Sequence, residues 1–183
     1  MAPAPRRSRD DLLAQGLALL AEGGIDALTI DALCARMGAT KGSFYHHFAG
    51  RDDFLRALLE HWAALRPARA SRARSPRRRM EALLPAAQGP EAAIRAWAMR
   101  DPTARDYQRR VDARRLGELE ALLGEATGDP ARAALLARMG YALLLGAQAL
   151  APPAGPAQRA AMLDLLWKEL CIRPARGRGK EDS

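Results

Sequence analysis

Long apolar runs are missing from this chain of 183 residues, and cysteine is nearly so, with only Cys34 and Cys171. The longest nearly apolar stretch, 139–153, is interrupted by Gln148 and closed by Pro152 and Pro153, and is too short to cross a bilayer. The opening Met-Ala-Pro-Ala-Pro-Arg-Arg-Ser-Arg lacks the apolar heart of a secretory leader and runs straight into Asp10 and Asp11. A cytoplasmic protein with no membrane partner is therefore expected. Both cysteines sit inside helical patterns, which argues against a disulfide framework and for reduced packing residues. Strand-like alternation is absent too, because apolar residues recur at intervals of three and four; the fold class predicted is all-α.

Enzyme signatures are equally scarce. There is no nucleophile elbow, phosphate-cradling loop, HExxH or pair of carboxylates poised as acid and base. His61 beside Glu60 is an isolated pair whose side chains diverge on a helix. No catalytic residue, cofactor or metal is expected.

What is present is ordinary globular composition, 49% hydrophobic and 27% charged, with a formal net charge of +8. That excess suggests nucleic acid but is misplaced for a simple argument: residues 1–50 carry five basic and five acidic side chains, and 51–80 carry nine and three. Recognition has to be argued from positions.

Leu12, Leu13, Gly16, Leu17 and Leu20 share one face of a first helix, which is expected to stop at Gly23-Gly24. Thr29 caps a short helix through Met37, with Ile30, Leu33, Cys34 and Met37 inward, and Gly38 ends it. Thr40 caps a third, 41–48, and Asp52-Asp53 opens a fourth with Phe54, Leu55, Leu58, Leu59 and Trp62 inward. After an Arg-rich, Pro- and Ser-punctuated connector at 66–79, helices are predicted near 77–87, 91–100, 103–124, 130–150 and 155–172, about nine in all. The organisation expected is a head at 1–50, a connecting helix and linker at 51–79, a helical body at 80–174, and a mobile tail at 175–183.

The segment 29–48 has the parts of a helix-turn-helix. Gly38 supplies the left-handed turn residue, the small Ala39 tucks under the corner, and Thr40 receives the free amides of the next helix. At about 100° per residue, Phe44 and Phe48 face the core while Gly42, Ser43, Tyr45 and His46 face outward. Gly42 lets the backbone approach base edges, Lys41 can donate to guanine, and Tyr45 and His46 can reach bases or phosphates. Thr29, Thr40, His47 and Arg51 are placed to clamp the backbone. Adjacent histidines diverge on a helix and have no carboxylate or cysteine at ligand spacing, so His46 and His47 do not make a metal site.

The run Leu28-Thr29-Ile30, Leu33 through Phe48 and on to Arg51-Asp52-Asp53-Phe54-Leu55 resembles the tetracycline-repressor (TetR) family over about 45 residues from Leu12. The resemblance implies that Lys41 and Gly42 touch bases, that Tyr45 and His46 contact bases or phosphates, and that Thr29, Thr40, His47 and Arg51 contact phosphates. It also implies a homodimer paired through its last two long helices, a palindromic double-stranded operator, repression, and release by a small-molecule effector. Arg51 stands where the family more often has Lys, and Cys34 replaces a smaller or β-branched filler.

In the body, the helix after Pro130 is apolar nearly all round and must be buried on two sides. Its small-residue stripe Ala133, Ala137, Gly140, Leu144 and Ala147, with Met162 and Leu166 of the last helix, is the expected dimer interface. Trp62, Trp97, Met99, Tyr107, Met139 and Tyr141 are the candidate effector-lining residues. The arm bearing Arg6, Arg7 and Arg9 is an auxiliary DNA contact. The alternatives are a basic helical module that binds nucleic acid or anionic membrane without sequence choice and, further off, a helical enzyme.

Overall fold

A computed structural model describes residues 8–65, 89–150 and 152–168. The expected helix at 77–87, the Arg-rich connector, Arg6, Arg7, Cys171 and the tail lie outside these residues. Those described form eight helices and no strand: α1 (Arg9–Ala27), α2 (Ile30–Met37), α3 (Lys41–His47), α4 (Arg51–Ala64), α5 (Glu91–Ala98), α6 (Pro102–Thr127), α7 (Pro130–Ala149) and α8 (Pro156–Leu166). The fold is all-α. None of the described helices is long and apolar enough to cross a membrane.

The chain forms two compact units, whose boundary falls inside α6 after Asp112. The first takes in α1 to α5 and the start of α6, a larger body than the head of 1–50 foreseen from the connector. Its reason is packing: α1 is covered by α5 as well as by α2 and α4, and Ile94, Trp97, Ala104 and Val111 share one core with Leu12, Phe44 and Leu58.

Within this unit, Ser8 starts α1 with a reciprocal cap, its hydroxyl accepting from the Asp11 amide at 3.1 Å and its own amide donating to the Asp11 carboxylate at 2.9 Å. The helix does not stop at Gly23-Gly24 as expected. Gly24, at φ 71°, kinks it, and one more turn continues to Ala27. Gly16 is the close-approach point of α1 on α4, since a Cβ there would lie 2.7 Å from Phe54 Cζ. The buried Glu91 carboxylate accepts from Arg95 at 2.9 Å, and Arg95 also forks onto Asp112 at 2.7 and 3.1 Å, which locks α5 to α6.

The second unit includes the rest of α6, α7 and α8. Its core joins Leu119 and Leu123 of α6, Ala133, Leu136, Ala137, Tyr141 and Leu144 of α7, and Leu163 of α8. Asp129 caps α7 by accepting from the amides of Ala131 and Arg132, and Pro130 occupies the first helical position, where no amide is needed.

Candidate nucleic-acid interface

The corner between α2 and α3 is built from the backbone outward. Thr29 Oγ1 accepts from the Ala32 amide at 3.1 Å, and Thr40 Oγ1 accepts from the Ser43 amide at 3.2 Å, so each threonine caps its helix. Gly38 adopts φ 60°, ψ 33°, and the Ala39 amide then donates back to the Cys34 carbonyl at 2.9 Å. Ala39 packs against the core beneath the turn.

Three aromatic rings hold α3 down. Phe44 and Phe48 are buried, with centroids 5.3 Å apart, and Phe54 of α4 lies 5.5 Å from the first and 5.1 Å from the second. Edge-on contacts of this kind add to the burial of each ring, worth roughly 1.5–3 kcal/mol per side chain. The Arg9 guanidinium covers the Phe48 ring at 5.1 Å, so this arginine is placed by the head itself. At the α3–α4 corner, the Ala49 amide donates to the Asp53 carboxylate at 3.0 Å.

With the phenylalanines inward, the opposite side of α3 is open. Lys41, Gly42, Tyr45 and His46 are exposed, Tyr45 by 54%, while Ser43 and His47 are half-buried at its margins. Thr29, Thr40 and Arg51 are exposed on the flanking elements. Beyond its chain neighbours and its own helix backbone, the nearest atom to a Cβ built at Gly42 is Thr40 Oγ1 at 3.7 Å, so packing does not require glycine there.

Two ion pairs bracket the corner. The Arg36 guanidinium on α2 donates to both oxygens of Glu22 on α1, at 2.6 and 2.7 Å, and through Nε to Gln15 at 2.9 Å. The hydrogen bond from Arg36 holds the Glu22 carboxyl below its ordinary pKa. Lys41 Nζ lies 2.7 Å from Asp31 Oδ1, and this hydrogen bond raises the lysine's pKa. Burial pushes the Cys34 thiol up, away from the reactive thiolate, as its packing position requires.

The sequence pattern of the bacterial regulatory proteins of the tetR family matches residues 12–58, the span that builds this corner and its supports. Over these residues the chain is similar to the tetR family. It is a DNA-binding regulator. No curated protein matches its sequence significantly. Solved tetR-like structures share the fold: a transcriptional regulator from Rhodococcus sp. Rha1 is 22% identical, covering 89% of this chain and 95% of that one, with a TM-score of 0.69. A TetR-family transcriptional regulator from Agrobacterium tumefaciens is 18% identical over 89% of this chain and 97% of its own, with a TM-score of 0.65. The multidrug binding protein EbrR, complexed with imidazole, is 22% identical over 95% and 99%, with a TM-score of 0.55.

The effector candidates are divided between the two units. Trp62 and Trp97 are buried in the first unit and Tyr107 packs on the same core, with its hydroxyl donating to Glu60 at 3.0 Å. Met99 is 78% exposed and Met139 50% exposed, so neither lines an enclosed space. Tyr141 belongs to the second unit's core, where its hydroxyl accepts from Arg115 at 3.2 Å. The first unit instead has an open cavity of about 290 Å³, floored by Leu55, Leu59 and Trp97 and rimmed by Asp52, Arg56, Asp101 and Thr103. Of this lining, Trp97 alone is among the effector candidates expected from the sequence.

The dimer candidates also need correction. Ala133, Ala137, Gly140, Leu144 and Ala147 are buried inside the single chain, and a Cβ at Gly140 would lie 3.3 Å from Leu166 Cδ2. The small-residue stripe therefore serves packing within the second unit, and Leu166 and Met162 are half-buried. The face that α7 leaves open carries Ala131, Leu135, Arg138, Met139, Ala142, Gly146, Ala149 and Leu150. At about 100° per residue these span an arc of about 120° with a single charge.

Proposed function

We propose that this regulator is a homodimeric repressor that reads a palindromic operator with two copies of α3 and leaves it when a small molecule binds. The observation that carries the reading is the division of α3: Phe44 and Phe48 buried on one side, Lys41, Gly42, Tyr45 and His46 exposed on the other. A short helix anchored by aromatic residues on one side has a free side to lay in the major groove. Lys41 and Gly42 meet base edges, and Tyr45, His46 and Ser43 meet bases or phosphates. Each capping threonine accepts from its own helix and keeps its hydroxyl proton for a phosphate oxygen. Arg51 and His47 close the clamp.

The second copy is supported by the uncovered side of α7, where Leu135, Met139 and Leu150 stand in water with Ala142, Gly146 and Ala149 between them. A contiguous apolar face of this kind marks an interface, and an isologous pairing gives the two-fold symmetry that a palindrome mirrors.

Release is supported by the cavity beside α4. That helix begins with Arg51 and contributes Asp52, Leu55, Arg56 and Leu59 to the cavity wall. A ligand that wedges Trp97 and Thr103 from α4 shifts the helix that carries Arg51, provided it prefers the shifted state. The volume suits a small, partly apolar molecule, and a fold relative is described as a multidrug binding protein.

Selection from a random pool of duplex DNA by the full chain tests this. One palindrome, preferred over random DNA by roughly 10³ or more, is the expected product. Equal binding to every sequence, or to anionic vesicles, would favour the unselective basic module.

A further inference from the structure

Asp31 suits the first turn of α2, where a carboxylate faces the positive end of the helix dipole, but its pairing with Lys41 crosses to the next helix. It is a solvent-exposed contact, with the lysine side chain 62% and the aspartate 71% accessible, and such pairs add little to stability. It is also oddly placed for a DNA-binding surface. Asp31 sits in the first turn of α2, and its carboxylate lies 2.7 Å from the ammonium of the first residue of α3. A negative group beside a phosphate backbone is repulsive, so its presence next to a base-reading lysine calls for a proton donor on the other side.

The major groove has few such donors. Only cytosine N4 and adenine N6 donate there, whereas guanine N7 and O6 and thymine O4 accept. Across a G·C pair the edge reads acceptor, acceptor, donor. A lysine ammonium can serve both guanine acceptors, and a carboxylate held against that ammonium then falls beside the cytosine amino group. An A·T pair alternates acceptor, donor, acceptor, so it offers the lysine no neighbouring pair of acceptors, and it adds the thymine methyl.

We propose that Asp31 and Lys41 together read one G·C base pair, Lys41 donating to guanine and Asp31 accepting from the N4 amino group of the paired cytosine. This rests on the reading of α3 as the base-contacting helix. Asp31 is thereby a specificity-determining residue: it lowers affinity for DNA in general by repelling phosphate and restores it at the matching base pair alone.

The test compares sequences enriched from a random duplex pool by the full-length wild type, Asp31→Ala, Asp31→Asn and Lys41→Ala. Circular dichroism and melting check that each variant is folded. In the wild type, one column of each half-site should prefer G·C roughly tenfold. That G·C column should weaken in Asp31→Ala, keep part of its preference in Asp31→Asn, whose amide oxygen still accepts from the cytosine amino group, and go flat in Lys41→Ala, while its neighbours persist. Asp31→Ala should also bind random DNA more tightly. If the column keeps its full preference in Asp31→Ala and affinity merely rises by one factor for all sequences, the carboxylate only repels phosphate and the proposal is overturned. If wild type enriches no sequence, the base-reading role of α3 falls, and this proposal with it.

Discussion

Arg36 grips Glu22 with two parallel hydrogen bonds of 2.6 and 2.7 Å, tying the brace helix α2 to α1 across the outside of the head. The contact stabilises the charged carboxylate, so Glu22 titrates below its ordinary value of 4.5. A depressed folded-state pKa contributes stability that is present above the unfolded value and lost as pH falls through the folded one. The urea midpoints of wild type and Arg36→Ala should therefore differ at neutral pH and draw together as the pH falls below 4.5 and through the lowered folded-state value. A gap that stays constant on acidification would show that packing of the arginine stem, not the ion pair, is responsible.

Phe44 and Phe48, buried to 0% and 2% exposure, anchor the inner side of α3. Replacing either with alanine should cost about 3–5 kcal/mol of unfolding free energy, and Phe44→Leu distinctly less. Chemical denaturation of the full chain measures this. Losses under about 1 kcal/mol in both alanine variants would mean that the aromatic cluster is not what fixes α3.

Two glycines should respond to alanine for opposite reasons. At Gly38 nothing approaches an added methyl, and the cost comes from φ 60° alone, about 1 kcal/mol, with Gly38→Asn tolerated better. At Gly16 the backbone is ordinary helix, but the methyl would meet Phe54 Cζ at 2.7 Å, so Gly16→Ala should cost about 1–3 kcal/mol through overpacking. Rescue of Gly16→Ala by Phe54→Leu, and no rescue of Gly38→Ala by any neighbour, is the outcome that separates the two.

The two faces of α7 can be told apart by sedimentation. Leu135→Glu with Met139→Glu places charges on the exposed face and should give a folded monomer with weakened operator binding. Ala137→Leu alters the buried stripe and should lower the melting temperature of the chain itself, because Ala137 is 1% exposed. A dimer that withstands both charges would place the interface elsewhere.

Much of the head was legible without coordinates. Thr29, Gly38, Thr40, Phe44 and Phe48 act through local rules of capping, left-handed turns and helical spacing, and their geometry follows those rules. The kink at Gly24 was less legible, since Gly-Gly marks the end of a straight segment without saying whether another turn follows. Asp31 was missed because its partner lies on the next helix, and only the angle between α2 and α3 brings them together.

The chain's own periodicity determined that it is helical, where its first four helices start, and which side of α3 faces outward. Those are properties of consecutive residues. Tertiary packing decided which face of α7 is spent on α6 and α8, that α5 belongs with α1, and where α4 leaves an open cavity. A helix that is apolar nearly all round carries no record of which neighbour covers which side, because burial favours every apolar face alike until other helices claim their share.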